Sequence, residues 1–188
     1  MVPFDPDEFV AACSEALEEG EQAPAAVRQL LERTVSAPAA LRATIGDLTS
    51  MPSFTTWHNS DRLTVLHIVW PPDADLDPHD HNMWAAIGLY GGREDNHFYR
   101  RRPDGRVEEA GGRTLLELDV IGLGPDAVHR VVNPTTEWTG AIHVYGGDFF
   151  STPRTRWSAP TGEPQPFDAE VVRAYLEETA KTARQARA

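Results

Sequence analysis

Pro78-His79-Asp80-His81 carries two histidines one residue apart, and a third, His129, lies far downstream in the apolar run Val128 to Val132. Strand side chains alternate between two faces, so His79 and His81 share a face if this segment is extended. Both imidazoles then reach one ion. His129 is too distant in sequence to be local, so the fold has to bring it back beside them. A β-barrel builds a metal site in this way, with two ligands from one strand and a third from another.

The texture of the chain from Phe54 onward agrees with a barrel. Short apolar runs rich in Val, Ile, Trp and Tyr are Leu63 to Trp70, Met83 to Tyr90, Asn96 to Arg101, Thr114 to Leu118, Val128 to Val132 and Gly140 to Tyr145. The turn signals between them include Pro71-Pro72-Asp73, Gly91-Gly92, Pro103-Asp104-Gly105 and Gly111-Gly112. This spacing predicts an all-β sandwich or barrel. Pro103-Asp104-Gly105 reads as a hairpin turn joining the Phe98 strand to Val107.

Helices flank this region. Asp5-Pro6-Asp7-Glu8 has the cap, the early proline and the acids of a helix start, with Phe9, Val10, Cys13, Ala16 and Leu17 at helical spacing and Gly20 as the stop. Further helices are predicted from Pro24, with Val27, Leu30 and Leu31 on one face, and from Pro38, with Leu41 and Ile45. Asp168 caps a last helix carrying Val171, Val172, Tyr175 and Leu176, whose basic end from Lys181 is expected to fray. With 188 residues, one domain is expected: a helical cap over 1–50, a β-barrel over 54–150, a proline-rich loop over 151–167 and a C-terminal helix over 168–188.

The formal net charge of -12 argues against nucleic acid and anionic membranes as partners. No apolar run approaches the roughly 18 residues of a membrane span. The N-terminal sequence has neither the basic nor the apolar region of a signal peptide, so a cytoplasmic protein is expected. The single cysteine, Cys13, reads as a buried small side chain.

The two histidine segments resemble the motifs of the cupin superfamily, whose fold is a double-stranded β-helix, a jelly-roll barrel. The second segment runs Gly122-Leu123-Gly124-Pro125-Asp126-Ala127-Val128-His129, followed by Asn133. The first cupin motif has a glutamate three to four residues after its His-x-His. Here the spacer Asn82-Met83-Trp84-Ala85-Ala86 holds no carboxylate, and Gly88 follows. Three histidines without an acid resemble the thiol dioxygenases, namely cysteine dioxygenase and the bacterial 3-mercaptopropionate dioxygenases. Ala141-Ile142-His143-Val144-Tyr145-Gly146 is similar to that family's Ser-x-His-x-Tyr-Gly segment.

The resemblance implies Fe(II) on His79, His81 and His129, with O2 and a small thiol as substrates and a sulfinate as product. Zn, Ni and Mn also suit imidazole ligands. It implies catalytic roles for Tyr145 and for His143, which would orient the Tyr145 hydroxyl. Arg154 falls where the mercaptopropionate enzymes hold a substrate carboxylate, and Trp84 would wall the site. A homodimer formed through barrel edges is compatible with it. Two departures stand out: the family serine is Ala141, and the cysteine of animal-type enzymes is absent near Ala86. The residues also fit other three-histidine metal enzymes (a Zn, Ni or Mn hydrolase, lyase or isomerase) or a non-catalytic binding protein. His58, His67 and His97 read as structural, His67 with a side chain that can face the lumen. Arg93, Glu94 and the Arg100 to Arg102 run read as hairpin surface.

Overall fold

The computed structural model describes residues 3–159 and 161–187. Met1, Val2, Pro160 and Ala188, assigned above to the cap, the loop and the last helix, lie outside the described residues. Helix α1 (Pro6–Ala16) starts as predicted, with the Asp5 carboxylate accepting the Asp7 N–H at 2.8 Å. A 3-10 segment, Leu17–Gln22, turns at Gly20 and leads into α2 (Ala23–Val35), and α3 (Pro38–Ile45) follows.

The strands are β1 (Phe54–Asn59), β2 (Thr64–Trp70), β3 (Asp75–Asp80), β4 (Ala85–Gly91), β5 (Arg93–Arg101), β6 (Val107–Leu116), β7 (Val120–Leu123), β8 (Val128–Val132) and β9 (Thr139–Tyr145). Two short strands, β10 (Thr155–Trp157) and β11 (Pro164–Pro166), precede α4 (Ala169–Arg187). All pairings are antiparallel, in sheets ordered β1-β2-β9-β4-β7 and β11-β10-β3-β8-β5-β6. Strands pair β2 with β9, β3 with β8, β4 with β7 and β5 with β6, the pattern of one long hairpin rolled up on itself. Further pairings, β4 with β9 and β5 with β8, close the roll. The fold is therefore a double-stranded β-helix with N-terminal helices and one C-terminal helix. The tip of the long hairpin is the predicted Pro103-Asp104-Gly105 turn, with Gly105 at φ +82.

Several local expectations change. Gly111-Gly112 is not a turn; it lies inside β6, where the register with β5 shifts between Phe98 and Tyr99. The predicted Gly91-Gly92 turn is present: Gly92 has φ +81, and a Cβ there would stand 2.2 Å from Thr139 Oγ1. The stretch 151–167 is more than a loop: β10 and β11 extend the second sheet, with Arg156 opposite His79. The end of α4 is tied down rather than frayed. Arg184 donates to the carbonyls of Thr49 at 2.6 Å and Met51 at 2.7 Å.

The core has two main layers. Between the sheets, Leu66, Ile68, Trp70, Ile87, Leu89 and Ala141 pack toward the lumen, closed by Val172 and Leu176 of α4. On the outer face of the first sheet, Val65, Ala86, Tyr90, Ile142 and Val144 pack against Phe9, Val27, Leu31 and Val35 of α1 and α2. Strands β2, β4 and β9 are consequently buried along their whole length. His67 belongs to the outer layer, not the lumen: it stacks on Trp57 with ring centroids 5.4 Å apart, and its Nε2 lies 2.6 Å from the Tyr90 hydroxyl.

Leu31 crosses directly over Gly88 of β4, where a Cβ would stand 2.8 Å from the Leu31 Cγ. Leu31→Ala should therefore destabilise the fold by about 2–5 kcal/mol, because the helix cannot settle into the void it leaves. Urea denaturation checks this, and a loss below about 1 kcal/mol would mean that the helical layer is loosely packed.

Candidate metal centre

The rolled hairpin sets His79 directly opposite His129 across the β3–β8 pair. Pro78 has no N–H to give the ladder, and the register shifts between Leu76 and His79, where it sits. His81 follows just past the strand end and projects to the same side as His79. The ring centroids are 4.7 Å apart for His79 and His129, 5.2 Å for His79 and His81, and 5.0 Å for His81 and His129. One nitrogen from each ring lies within 4.8 Å of the others, a group that can hold a metal ion. Asp80, between the two histidines, points the other way. It accepts from Arg101 Nη2 and from the Thr155 N–H, both at 2.8 Å, and locks β10 to β3.

The donor set fits a metal. His79 Nδ1 lies 2.9 Å from the Asp77 carbonyl and His129 Nδ1 2.7 Å from the Asn96 Oδ1, so each donates there and keeps Nε2 free. His129 Nε2 and His81 Nδ1 are buried with no protein partner. Burial removes the protonated forms as well: it lowers His79 to about 4 and holds His81 and His129 well below the ordinary imidazole value. Three neutral, converging imidazoles, two of them with a buried ring nitrogen that meets no protein partner, suit a divalent ion.

The sequence reading missed the group that supports this cluster. Glu94 is not hairpin surface; it is only 1% exposed and faces the lumen with Asn96 and Phe98, two and four residues on. Its Oε1 accepts from Asn96 Nδ2 at 2.9 Å, which turns the amide oxygen toward His129. The alternation Glu94-x-Asn96-x-Phe98 was the available signal, masked by the charged residues interleaved with it. Burial pushes the Glu94 carboxyl up to about 7, against the stabilising N–H groups of Asn96 and Trp70. The Trp70 indole lies against this carboxyl without reaching full hydrogen-bond geometry.

The other sequence-predicted residues divide. Tyr145 faces the cluster, its ring centroid 5.0 Å from that of His81, and its hydroxyl lies 3.0 Å from His143 Nδ1. Burial keeps that phenol protonated and lowers His143 to about 3. Ala141 precedes them on the same lumen face, so no hydroxyl touches His143 from that position. Arg154 is 8% exposed, with its guanidinium carbon 3.8 Å from the Phe149 ring centre and 4.0 Å from that of Phe167. Nη2 donates to the Phe149 carbonyl at 2.7 Å, while Nε and Nη1 are buried without partners. Trp84 is not brought to the centre. It packs in the outer layer against Gly146, where a Cβ would stand 2.0 Å from the indole. Trp70, Phe149 and Phe167 wall the cavity instead, and that cavity is small, about 30 Å³.

No protein-family model matches this chain. Several solved structures are similar to this chain. One from Bacillus halodurans is 14% identical over 53% of this chain and 74% of its own, with a TM-score of 0.46. A protein with a double-stranded β-helix domain from Klebsiella pneumoniae is 15% identical over 57% of this chain and 80% of its own, with a TM-score of 0.41. An RmlC-like cupin family protein from Methanocaldococcus jannaschii is 13% identical over 53% of this chain and 84% of its own, with a TM-score of 0.42. No helix of the described residues is long and apolar enough to cross a membrane.

Two outcomes are expected. Asn96→Ala should weaken divalent-metal binding by about 10- to 100-fold, because His129 loses the acceptor that fixes its tautomer; competition with a chromogenic chelator measures it. Glu94 should also shape the pH dependence of stability. Its pKa is about 7 when folded, against about 4.3 unfolded. Between these values the folded chain binds the extra proton, so the stabilisation is present at low pH and lost as pH rises through about 7. The difference between Glu94→Gln and the parent should therefore move in the variant's favour by on the order of 1–3 kcal/mol from mildly acidic to mildly alkaline pH. Urea unfolding of the metal-free proteins tests this, and a constant difference would contradict it.

Proposed function

We propose that this chain is a metal-dependent oxidoreductase of the cupin type, holding Fe(II) on His79, His81 and His129 and joining O2 to the sulfur of a small thiol acid. The observation that carries this reading is the set of three neutral imidazoles with no carboxylate among them, facing a buried tyrosine hydroxyl and a half-satisfied arginine. Bound there, Fe(II) supplies the Lewis acidity that ionises a thiol and the redox chemistry that lets O2 react with it.

The protein's own groups supply position and polarity. Arg154 takes the carboxylate of the substrate: its Nε and Nη1 are buried without partners, and an anion hydrogen-bonded to either one relieves part of that deficit. Burial already pulls its pKa down to about 10, so a bound carboxylate also relieves a poorly solvated cation. The rings of Phe149 and Phe167 clamp the guanidinium and leave it little freedom to lose on binding. Tyr145 offers its hydroxyl at the centre, and His143 holds that hydroxyl in place. The apolar walls exclude water, which strengthens each of these polar contacts. The small cavity favours a substrate of few heavy atoms.

A zinc-type reading, in which three imidazoles activate a water for hydrolysis or elimination, draws on the same donor set. Oxygen uptake separates the two. Protein loaded anaerobically with iron should consume O2 with 3-mercaptopropionate, cysteine, cysteamine or mercaptosuccinate. His129→Ala should lose bound metal and uptake together, and Arg154→Gln should raise KM for thiol acids by about 10-fold or more while leaving cysteamine, which has no carboxylate, little changed. Iron-replete protein that consumes no O2 with any thiol would overturn the dioxygenase reading. Full metal occupancy in His129→Ala would overturn the ligand set.

A further inference from the structure

Beyond the proposed reaction, one buried group has no role in it so far. Glu94 Oε2 has no hydrogen-bond partner, and neither has His143 Nε2; the two atoms face each other 3.9 Å apart. Glu94 and His143 are 1% and 3% exposed, so bulk water does not reach this gap. A side-chain shift of about 1 Å closes it to a hydrogen bond. On the far side of the ring, His143 Nδ1 already meets the Tyr145 hydroxyl at 3.0 Å. A carboxyl, an imidazole and a phenol thus stand in line, ending at the candidate metal centre.

We propose that Glu94 is the inner end of a proton relay, Tyr145–His143–Glu94, that takes a proton from an acidic ligand in the cavity and stores it on the Glu94 carboxyl. The transfer balances as follows. The ligand's proton goes to Tyr145 Oη, the former hydroxyl proton goes to His143 Nδ1, and the His143 Nε2 proton goes to Glu94 Oε2. One anion is made in the cavity, one carboxylate is neutralised, and the imidazole stays neutral while its tautomer changes. Before the transfer, Tyr145 donates to His143 and presents lone pairs to the cavity. Afterwards His143 donates to Tyr145, and the hydroxyl proton is free to point at the anion it has created. The relay therefore links deprotonation of the ligand to the appearance of a donor for it.

Burial helps at both ends. It pushes Glu94 up to about 7, so this carboxyl both accepts and releases a proton near neutral pH, and it pulls His143 down to about 3, which disfavours an imidazolium between them. The groups around Glu94 are Asn96 and Asp95 of β5, Trp70 of β2 and His143 of β9. Asp95 is taken up by Arg93 and Thr114 on the outer side, Asn96 donates to the other Glu94 oxygen and the Trp70 indole does not titrate, so among the described residues His143 is the titratable side chain that faces the free oxygen. Ala141, which cannot hydrogen-bond the ring, leaves His143 to be oriented from this side.

The relay rests on the cavity being the reaction site, but its test needs no turnover. Protein labelled with [15N]histidine and loaded with diamagnetic Zn(II) gives ring-nitrogen spectra in which His143 is assigned by its loss in His143→Gln. From mildly alkaline to mildly acidic pH, His143 should change from the Nε2–H to the Nδ1–H tautomer without becoming cationic. Glu94→Gln, which cannot exchange a proton, should abolish the change. Should that variant not fold, Glu94→Asp keeps a carboxyl at a longer reach, and the midpoint should move. The same tautomer change in Glu94→Gln, an unmoved midpoint in Glu94→Asp, or a single tautomer throughout in the parent would each overturn the relay. Because zinc protein consumes no O2, these results stand apart from the outcome with thiols and iron.

Discussion

The pairing of His79 with His129 across two antiparallel strands is the contact on which the rest of the centre depends. Residues opposite one another in such a pair have Cβ atoms about 4.5–5.5 Å apart, close enough for two imidazoles to share an ion. A slip of one residue would send one ring to the outer face and dissolve the cluster. The register is held in several places at once. The hairpin tip at Gly105 sets the count along the roll, Pro78 fixes the irregularity just before the histidines, and Asp80 ties the strand to β10. His81 then needs only to lie two residues on.

Burial does opposite things to the two kinds of titratable group in the lumen, and both serve the site. It disfavours charge, so the histidines stay neutral and available as ligands, while the buried Glu94 carboxyl keeps its proton up to about 7. Glu94 lies between two parts of the centre: one oxygen acts through Asn96 on His129, and the other stands 3.9 Å from His143 Nε2. The acid stands behind the three histidines, where it directs hydrogen bonds without joining the cluster.

The helices give the lumen its dryness. α1 and α2 cover the outer face of the first sheet, and α4 lays Val172 and Leu176 across the opening between the sheets. α4 is anchored at its middle, by Glu177 accepting the Ser53 N–H at 2.6 Å, and near its C-terminal end, by Arg184 on the Thr49 and Met51 carbonyls. The low effective dielectric that results is what gives one arginine, one tyrosine and one glutamate their leverage.

Much of this was legible in the chain. The His-x-His spacing determined that two imidazoles share a face, the Gly and Pro punctuation determined a roll of short strands, and the capping residues at Asp5 and Asp168 determined where helices begin. Period-two alternation also determined which residues travel together: Ala141 with His143 and Tyr145, Glu94 with Asn96 and Phe98. What alternation does not determine is which set faces the lumen when both faces are buried. Strands β2, β4 and β9 are apolar on both sides because helices cover one and the second sheet covers the other. Tertiary structure alone therefore sent His67 and Trp84 to the helical layer, drew Trp70 into the cavity wall, and buried Glu94. A polar side chain inside a barrel is chosen by the partners that satisfy it, and those partners come from strands far apart in sequence.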